Sequence, residues 1–211
     1  MRVSGTPNRL PRSVPRTMPV VSAPPAPSAP SDDALLGRFA CGDRTALDEL
    51  FRRYRGVAYR VAYRLLGREP DALDAVQDGF VKALTHLEKF RGRSSFKTWL
   101  LRIVSNAALD VGRQRKRDGW NQPAAGSAVR SGSAESASDA ELDRLDLRRA
   151  IEAALGQLPP PQRQTFVLHV DGEMSYREVA DALGISIGTV MSRLFYARQK
   201  LKTLLADRVN S

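Results

Sequence analysis

Residues 175–198 read SYREVADALGISIGTVMSRLFYAR, the pattern of two helices meeting at a tight turn. Ser175, followed three residues later by Glu178, predicts a capping box. The serine oxygen takes a free backbone N–H, and the glutamate reaches back to the cap. Val179, Ala180 and Leu183 supply one apolar face. Gly184 stands where the chain must turn, and glycine accepts the left-handed conformation that ends many helices. Ile185 plugs the corner, and Ser186 caps the second helix. Val190, Leu194, Ala197 and Leu201 recur at helical spacing and predict its inner face. Gly188, Ser192, Phe195, Tyr196 and Gln199 fall on the other side, flanked by Thr189, Met191 and Arg193. The unit reads as a helix-turn-helix that lays its second helix in a DNA major groove. An ordinary helical hairpin would share the apolar spacing but has no need of the partly basic outer face.

The balance of charge agrees with a polyanionic partner. The chain has 211 residues and a formal net charge of +10. Residues 1–31 contribute +4, residues 32–117 contribute +7, residues 118–140 contribute −2 and residues 141–211 contribute +1. The basic excess therefore sits in the first half, and the helix-turn-helix half is nearly neutral. Cys41 is the single cysteine, so no intrachain disulfide forms, which is compatible with a reducing compartment. With one cysteine and two distant histidines, His86 and His169, no zinc site is expected. Neither a secretory signal nor a membrane-spanning run is expected, and the cytoplasm is the expected setting.

Residues 1–31 hold eight of the 13 prolines and predict a disordered basic tail. Residues 32–117 read as several helices. Leu35, Leu36 and Phe39 open the first. Leu47, Leu50, Phe51, Tyr54, Val57, Ala58, Val61 and Leu65 run a stripe through residues 45–66, which Gly67 ends. Residues 71–88 predict a helix with Val76, Phe80, Leu84 and Leu87 inward. KFRGRSS (89–95) breaks the pattern. Residues 96–117 predict a long helix that buries Phe96, Trp99, Leu100, Ile103, Val104, Ala107 and Val111. Residues 118–140, rich in Gly, Ser and Ala, read as a flexible linker of about 75 Å extended reach. Helical periodicity returns over 141–157 through Leu142, Leu145, Leu147, Ile151 and Leu155, and Pro159–Pro161 stop it. Residues 162–170 then lead into the helix-turn-helix. The expectation is an all-α protein: two small helical domains, 32–117 and 141–208, joined by a tether.

Residues 89–117 form a second constellation. Lys89, Arg91, Arg93 and Ser94 precede a helix whose outer line is Arg102, Asn106, Asp110, Arg113 and Arg117, thickened at its end by Arg115 and Lys116. Basic side chains meet phosphate, and asparagine pairs with a base edge. Phe90, Phe96 and Trp99 put aromatic faces beside that charge, and such faces stack on unpaired bases. The set suits a strand-opened duplex, although the spacing of Phe96 and Trp99 with Leu100 and Ile103 also makes them core. Residues 71–80, DALDAVQDGF, have the opposite character. Asp74, Gln77 and Asp78 face outward, a poor surface for DNA and either a solvated face or a protein dock.

Three motifs in order carry a resemblance over about residues 33–206. DALDAVQDGFVKAL resembles the core-polymerase-binding helix of sigma-70 family transcription initiation factors, through Asp74, Gln77, Asp78 and Phe80. FRGRSSFKTWLLRIVSNAALDVGRQRKR is similar to the segment that opens and reads the −10 element. The matching residues there are Phe96, Trp99, Leu100, Arg102, Ile103, Asn106, Asp110 and Arg113. LPPPQRQTF and the helix-turn-helix resemble the domain that reads the −35 element. The short connection between the halves points to the extracytoplasmic-function group. The resemblance implies a specificity subunit without catalytic residues, cofactor or metal. Its partners would be core RNA polymerase and promoter DNA, with an anti-sigma factor as a further one. It also implies sites. Asp74, Gln77 and Asp78 would meet the polymerase. Lys89, Arg91, Arg93, Ser94, Trp99, Arg102, Asn106, Arg113 and Arg117 would meet the −10 region. Ser175, Thr189, Met191, Ser192, Arg193, Phe195, Tyr196 and Arg198 would meet the −35 region.

The chain departs from the family pattern at three places. Leu73 stands where the core-binding motif usually has an acid. Met191 and Tyr196 stand where basic residues are common. The alternative from another class is a stand-alone LuxR-like helix-turn-helix regulator. It accounts for residues 175–198 but leaves residues 71–117 unexplained.

Overall fold

Capping groups and glycines set where the helices begin and end. The computed structural model describes residues 29–118 and 139–209. Nearly all of the expected tail and of the expected linker lies outside the described residues. Helix α1 (Asp32–Ala40) leads into α2 (Arg44–Leu66). Asp43 caps α2, accepting from the Thr45 N–H at 3.0 Å. The Thr45 hydroxyl and the Arg38 guanidinium also bond that carboxylate and hold it down at about 2. Helix α3 (Glu69–His86) follows, then a 3₁₀ turn (Leu87–Lys89) and α4 (Phe96–Arg117). Ser95 caps α4 through the Thr98 N–H at 3.1 Å. Helices α5 (Asp139–Gly156), α6 (Pro160–Val170), α7 (Tyr176–Leu183) and α8 (Ile187–Val209) complete the chain. No strand occurs among the described residues.

The face that α3 buries is made of small residues. Ala72, Ala75, Gly79 and Ala83 lie against the rest of the protein. A Cβ on Gly79 would stand 2.8 Å from Val104 Cγ2 and 3.1 Å from its Cα, so only glycine lets α3 approach α4 this closely. That close approach rotates the helix relative to the expected orientation. Val76 and Phe80 are half-buried, and Leu84, expected inward, is exposed. Ala83 takes the place that Leu84 was expected to fill.

Phe96 is the centre of an aromatic cluster. Its ring centroid lies 5.8 Å from Tyr54 and Trp99, 6.0 Å from Phe90 and 6.3 Å from Phe51. Phe51 in turn meets Phe80 at 4.8 Å. Such pairs add about 0.5–1.5 kcal/mol each beyond area burial. Phe96, Leu100, Val104 and Ala107 are fully buried. Trp99, Ile103 and Val111 are only half-buried, because α4 keeps one side for solvent.

The two helical halves are in contact. Leu168, Met174, Val179, Val190 and Leu194 belong to the same buried cluster as Leu50, Val61, Leu100 and Leu101. A smaller cluster holds Ala154, Leu155, Leu158, Ala197 and Leu201. Leu155 is buried and Ile151 half-buried, whereas Leu145 and Leu147, expected on the same stripe, are exposed.

Candidate nucleic-acid interface

The turn between α7 and α8 is built as the spacing of its residues predicts. Ser175 Oγ accepts from the Glu178 N–H at 3.3 Å, and Glu178 Oε2 accepts from the Ser175 N–H at 2.8 Å. Gly184 takes the left-handed conformation at φ 64°. Ser186 Oγ accepts from the Thr189 N–H at 3.1 Å and so caps α8. Val190, Leu194, Ala197 and Leu201 are buried. Gly188, Met191, Ser192, Phe195, Tyr196, Arg198 and Gln199 are exposed, with Thr189 and Arg193 half-buried at the margins. Arg198 Nη1 reaches the Tyr176 hydroxyl at 3.5 Å. Ser175 is exposed, but its hydroxyl donates to Glu178 at 2.7 Å and belongs to the cap.

On α4 the outer line holds. Arg102, Asn106, Asp110, Arg113 and Arg117 are all exposed. Arg113 pairs with Asp110 one turn away. Lys89, Arg91 and Arg93 are exposed and Ser94 is half-buried; Lys89 ends the 3₁₀ turn rather than lying in open loop. Trp99 packs against Phe90 at 5.2 Å and Phe96 at 5.8 Å. Arg115 does not thicken the free basic end. It forms a largely buried ion pair with Asp71 that ties α4 to the start of α3.

The second half of the chain reaches over this helix. Gln164, buried on α6, donates Nε2 to Asn106 Oδ1 and to Ser105 Oγ, each at 3.3 Å. Thr98 donates its hydroxyl to Glu178 Oε1 at 3.1 Å. Burial opposes ionisation of Glu178, but the Ser175 N–H and hydroxyl and the Thr98 hydroxyl outweigh it. Its carboxyl sits below the ordinary range. Lys97 lies 3.7 Å from Glu173, and Arg64 lies 3.4 Å from Asp171 and 3.7 Å from Glu152. Burial pushes the Asp171 carboxyl up, and the Arg64 charge works against that. Nothing in the spacing of Gln164 and Asn106, 58 residues apart, announces this bridge.

Helix α3 presents Asp74, Gln77 and Asp78 outward, Asp78 paired with Lys82 at 2.7 Å. Apolar side chains share this face: Leu73, noted as a departure from the motif, Leu84, expected inward, and Val81, which sequence reading passed over, are exposed beside the acids. Their i, i+8, i+11 spacing is the signal that could have found them.

Residues 50–118 match the family model for sigma-70 region 2, and residues 148–201 match that for sigma-70, region 4. The ECF RNA polymerase sigma factor SigW of Bacillus subtilis (strain 168) is 30% identical over 172 residues, covering 79% of this chain and 92% of that protein. The chain belongs to the extracytoplasmic-function group of the sigma-70 family. Solved structures share its fold. The structure of CnrH in complex with the cytosolic domain of CnrY matches with a TM-score of 0.64 at 29% identity, covering 83% of this chain and 97% of that one. RpoE in complex with the anti-sigma factor NepR from Bartonella quintana matches at 0.59 and 28% identity, covering 76% and 96%. This sigma factor directs promoter-specific transcription initiation. The LuxR-like alternative finds no support: the region 2 match spans the residues that such a regulator leaves unexplained. Among the described residues, no helix of the sigma factor is long and apolar enough to cross a membrane.

Proposed function

We propose that three surfaces of this sigma factor divide its work. The outer face of α3, with Asp74, Gln77 and Asp78, docks on core RNA polymerase. The segment 89–95 and the outer line of α4 hold the opened −10 region, with Asn106 reading a base and Arg102, Arg113 and Arg117 meeting phosphates. The helix-turn-helix reads the −35 duplex through α8. The single observation that carries this reading is the line of exposed basic residues around Asn106 on a helix whose other side is locked by Phe96, Leu100 and Val104. A surface held that firmly, yet left polar and cationic, suits a nucleic acid backbone with a base beside it.

The sigma factor performs no chemistry of its own in this reading, and core polymerase supplies it in the cytoplasm. An anti-sigma factor is a further partner, as NepR is for RpoE of Bartonella quintana. Residues 32–117 and 141–208 act as the two promoter-holding domains. Asn106, tied to Gln164, exchanges that partner for DNA.

Co-purification with core polymerase tests the dock. Asp74→Ala with Gln77→Ala weakens the complex while the circular dichroism spectrum of the chain stays unchanged, because both side chains are exposed. Undiminished co-purification would remove α3 as the docking face.

A further inference from the structure

Among the polar residues on its exposed surface α8 carries large apolar side chains, where a DNA-reading helix is usually polar throughout. From Gly184 through Ser192 the chain has no charged residue, and no asparagine or glutamine. Its hydroxyls already have partners within the helix and its cap. Thr189 Oγ1 meets Ser186 Oγ at 2.9 Å, Ser186 Oγ takes the Thr189 N–H, and Ser192 Oγ donates to the Thr189 carbonyl at 3.0 Å. What remains is a strip of apolar surface. Ile187, Met191 and Phe195 stand one turn apart and are 46%, 54% and 62% exposed. Tyr196, 56% exposed, sets its ring edge-on to Phe195 at 5.4 Å. A contiguous exposed apolar strip marks a contact surface.

Its surroundings point to a polyanion. Arg177, Arg198, Lys200 and Lys202 are exposed on α7 and α8, and α8 has no acidic residue before Asp207. Cationic residues beside an apolar strip match a major groove with phosphates along its walls and methyl groups on its floor. Guanine offers two acceptors that call for Arg or Lys, and adenine calls for Asn or Gln. Thymine offers its C5 methyl, which takes an apolar side chain.

We propose that α8 reads thymine: Met191 and Phe195 pack against thymine methyl groups in the −35 element while the flanking Arg and Lys residues hold the phosphates. This rests on the assignment of the helix-turn-helix to the −35 duplex. It makes Met191 and Phe195 the residues that set promoter choice in this sigma factor.

The test uses holoenzyme assembled from the full chain and core polymerase. A promoter library randomised across the −35 region is selected, and thymines in the winners are replaced one at a time by deoxyuridine. Uracil keeps every hydrogen bond of thymine and lacks only the methyl. Selection enriches thymine at one or more positions. Deoxyuridine there lowers promoter binding about fourfold, the worth of one buried carbon. Met191→Ala and Phe195→Ala abolish that penalty without changing the salt dependence. Met191→Arg moves the preferred base from thymine to guanine. Equal binding of thymine and deoxyuridine promoters at every position overturns the proposal. So does wild-type selection by Met191→Ala and Phe195→Ala holoenzymes, which would give the strip to a protein partner. In both cases the −35 assignment survives, because selection still depends on −35 sequence. Initiation indifferent to all −35 sequence overturns that assignment and this proposal together.

Discussion

Helices α4 and α8 are nearly equal in length, are capped alike by a serine, and bury an apolar face, yet their outward faces are opposites. That of α4 is Arg102, Asn106, Asp110, Arg113 and Arg117, with Gln164 of α6 already bonded to the asparagine. That of α8 sets Ile187, Met191, Phe195 and Tyr196 among Ser192, Arg198 and Gln199, with the Ser192 hydroxyl bonded to its own backbone. One helix offers charge and a partnered polar group; the other offers exposed apolar side chains with cations beside them. The contrast follows from what each is proposed to meet. Separated strands expose phosphates and base edges on all sides, so charge and a hydrogen-bonding side chain find targets. An intact duplex presents base edges only through its grooves, and there an apolar side chain has one matching feature, the thymine methyl.

The largest effects come from the buried sides that hold these faces in place. Phe96→Ala removes the centre of the aromatic cluster under α4 and costs about 3–5 kcal/mol. Leu194→Ala under α8 costs about 2–5 kcal/mol. Both residues belong to one buried cluster, so urea denaturation followed by fluorescence and by circular dichroism shows a single shifted transition in each variant. Two separate transitions would mean that the helices stand on independent cores. Leu194→Ala also lowers activity on every promoter alike.

Asn106→Ala comes next. On the proposed −10 assignment it removes a base contact worth about 1–3 kcal/mol, and the loss appears in transcription and in permanganate reactivity of the opened strands, not in duplex affinity. Normal opening by Asn106→Ala with the 89–95 basic residues also replaced would take the −10 contact away from α4. On α8, Arg198→Ala weakens binding to all sequences equally and flattens the salt dependence by about one phosphate contact. A change in preferred sequence instead would move Arg198 from the rim into the groove.

The smallest effects concern the cap that joins the two helices' neighbourhoods. Ser175→Ala costs about 1 kcal/mol in thermal or urea unfolding. Glu178 is depressed in the folded protein, so its stabilisation is present above its ordinary value of 4.5 and is lost as pH falls through the lower folded value. Glu178→Gln therefore flattens the acid limb of the stability profile. Asp43 follows the same sign, its contribution fading as pH falls from 3.8 towards about 2. An acid limb unchanged in Glu178→Gln would show that the bond to Thr98 does not link α7 to α4.

Local signals were enough for much of this molecule. Ser175 with Glu178, Gly184 and Ser186 write the helix-turn-helix into consecutive residues, because caps and turns are made by neighbours in the chain. Gly67 and Ser95 likewise end one helix and begin another. The exposed lines of α4 and α8 follow from period alone, since a helix with one apolar stripe must turn the rest to solvent. Where period misled, a long-range contact was responsible. Leu84 continues the stripe of Val76 and Phe80, yet the Gly79–Val104 approach turns the alanine face inward and leaves Leu84 outside. Arg115 looked like one more cation until α3 brought Asp71 to it.

The sequence by itself therefore determined the all-α class, the helix-turn-helix, the polar line around Asn106 and the charge that divides the two halves. The first three depend on helical period and on neighbours in the chain, and the last is a sum over residue types. Tertiary structure alone decided which face α3 buries, that Gln164 takes Asn106, that Thr98 takes Glu178, and that one buried cluster runs through both halves. Those outcomes depend on how closely two helix backbones approach. A methyl group at position 79 would change that distance, and nothing in the spacing of residues 58 or 80 apart records it.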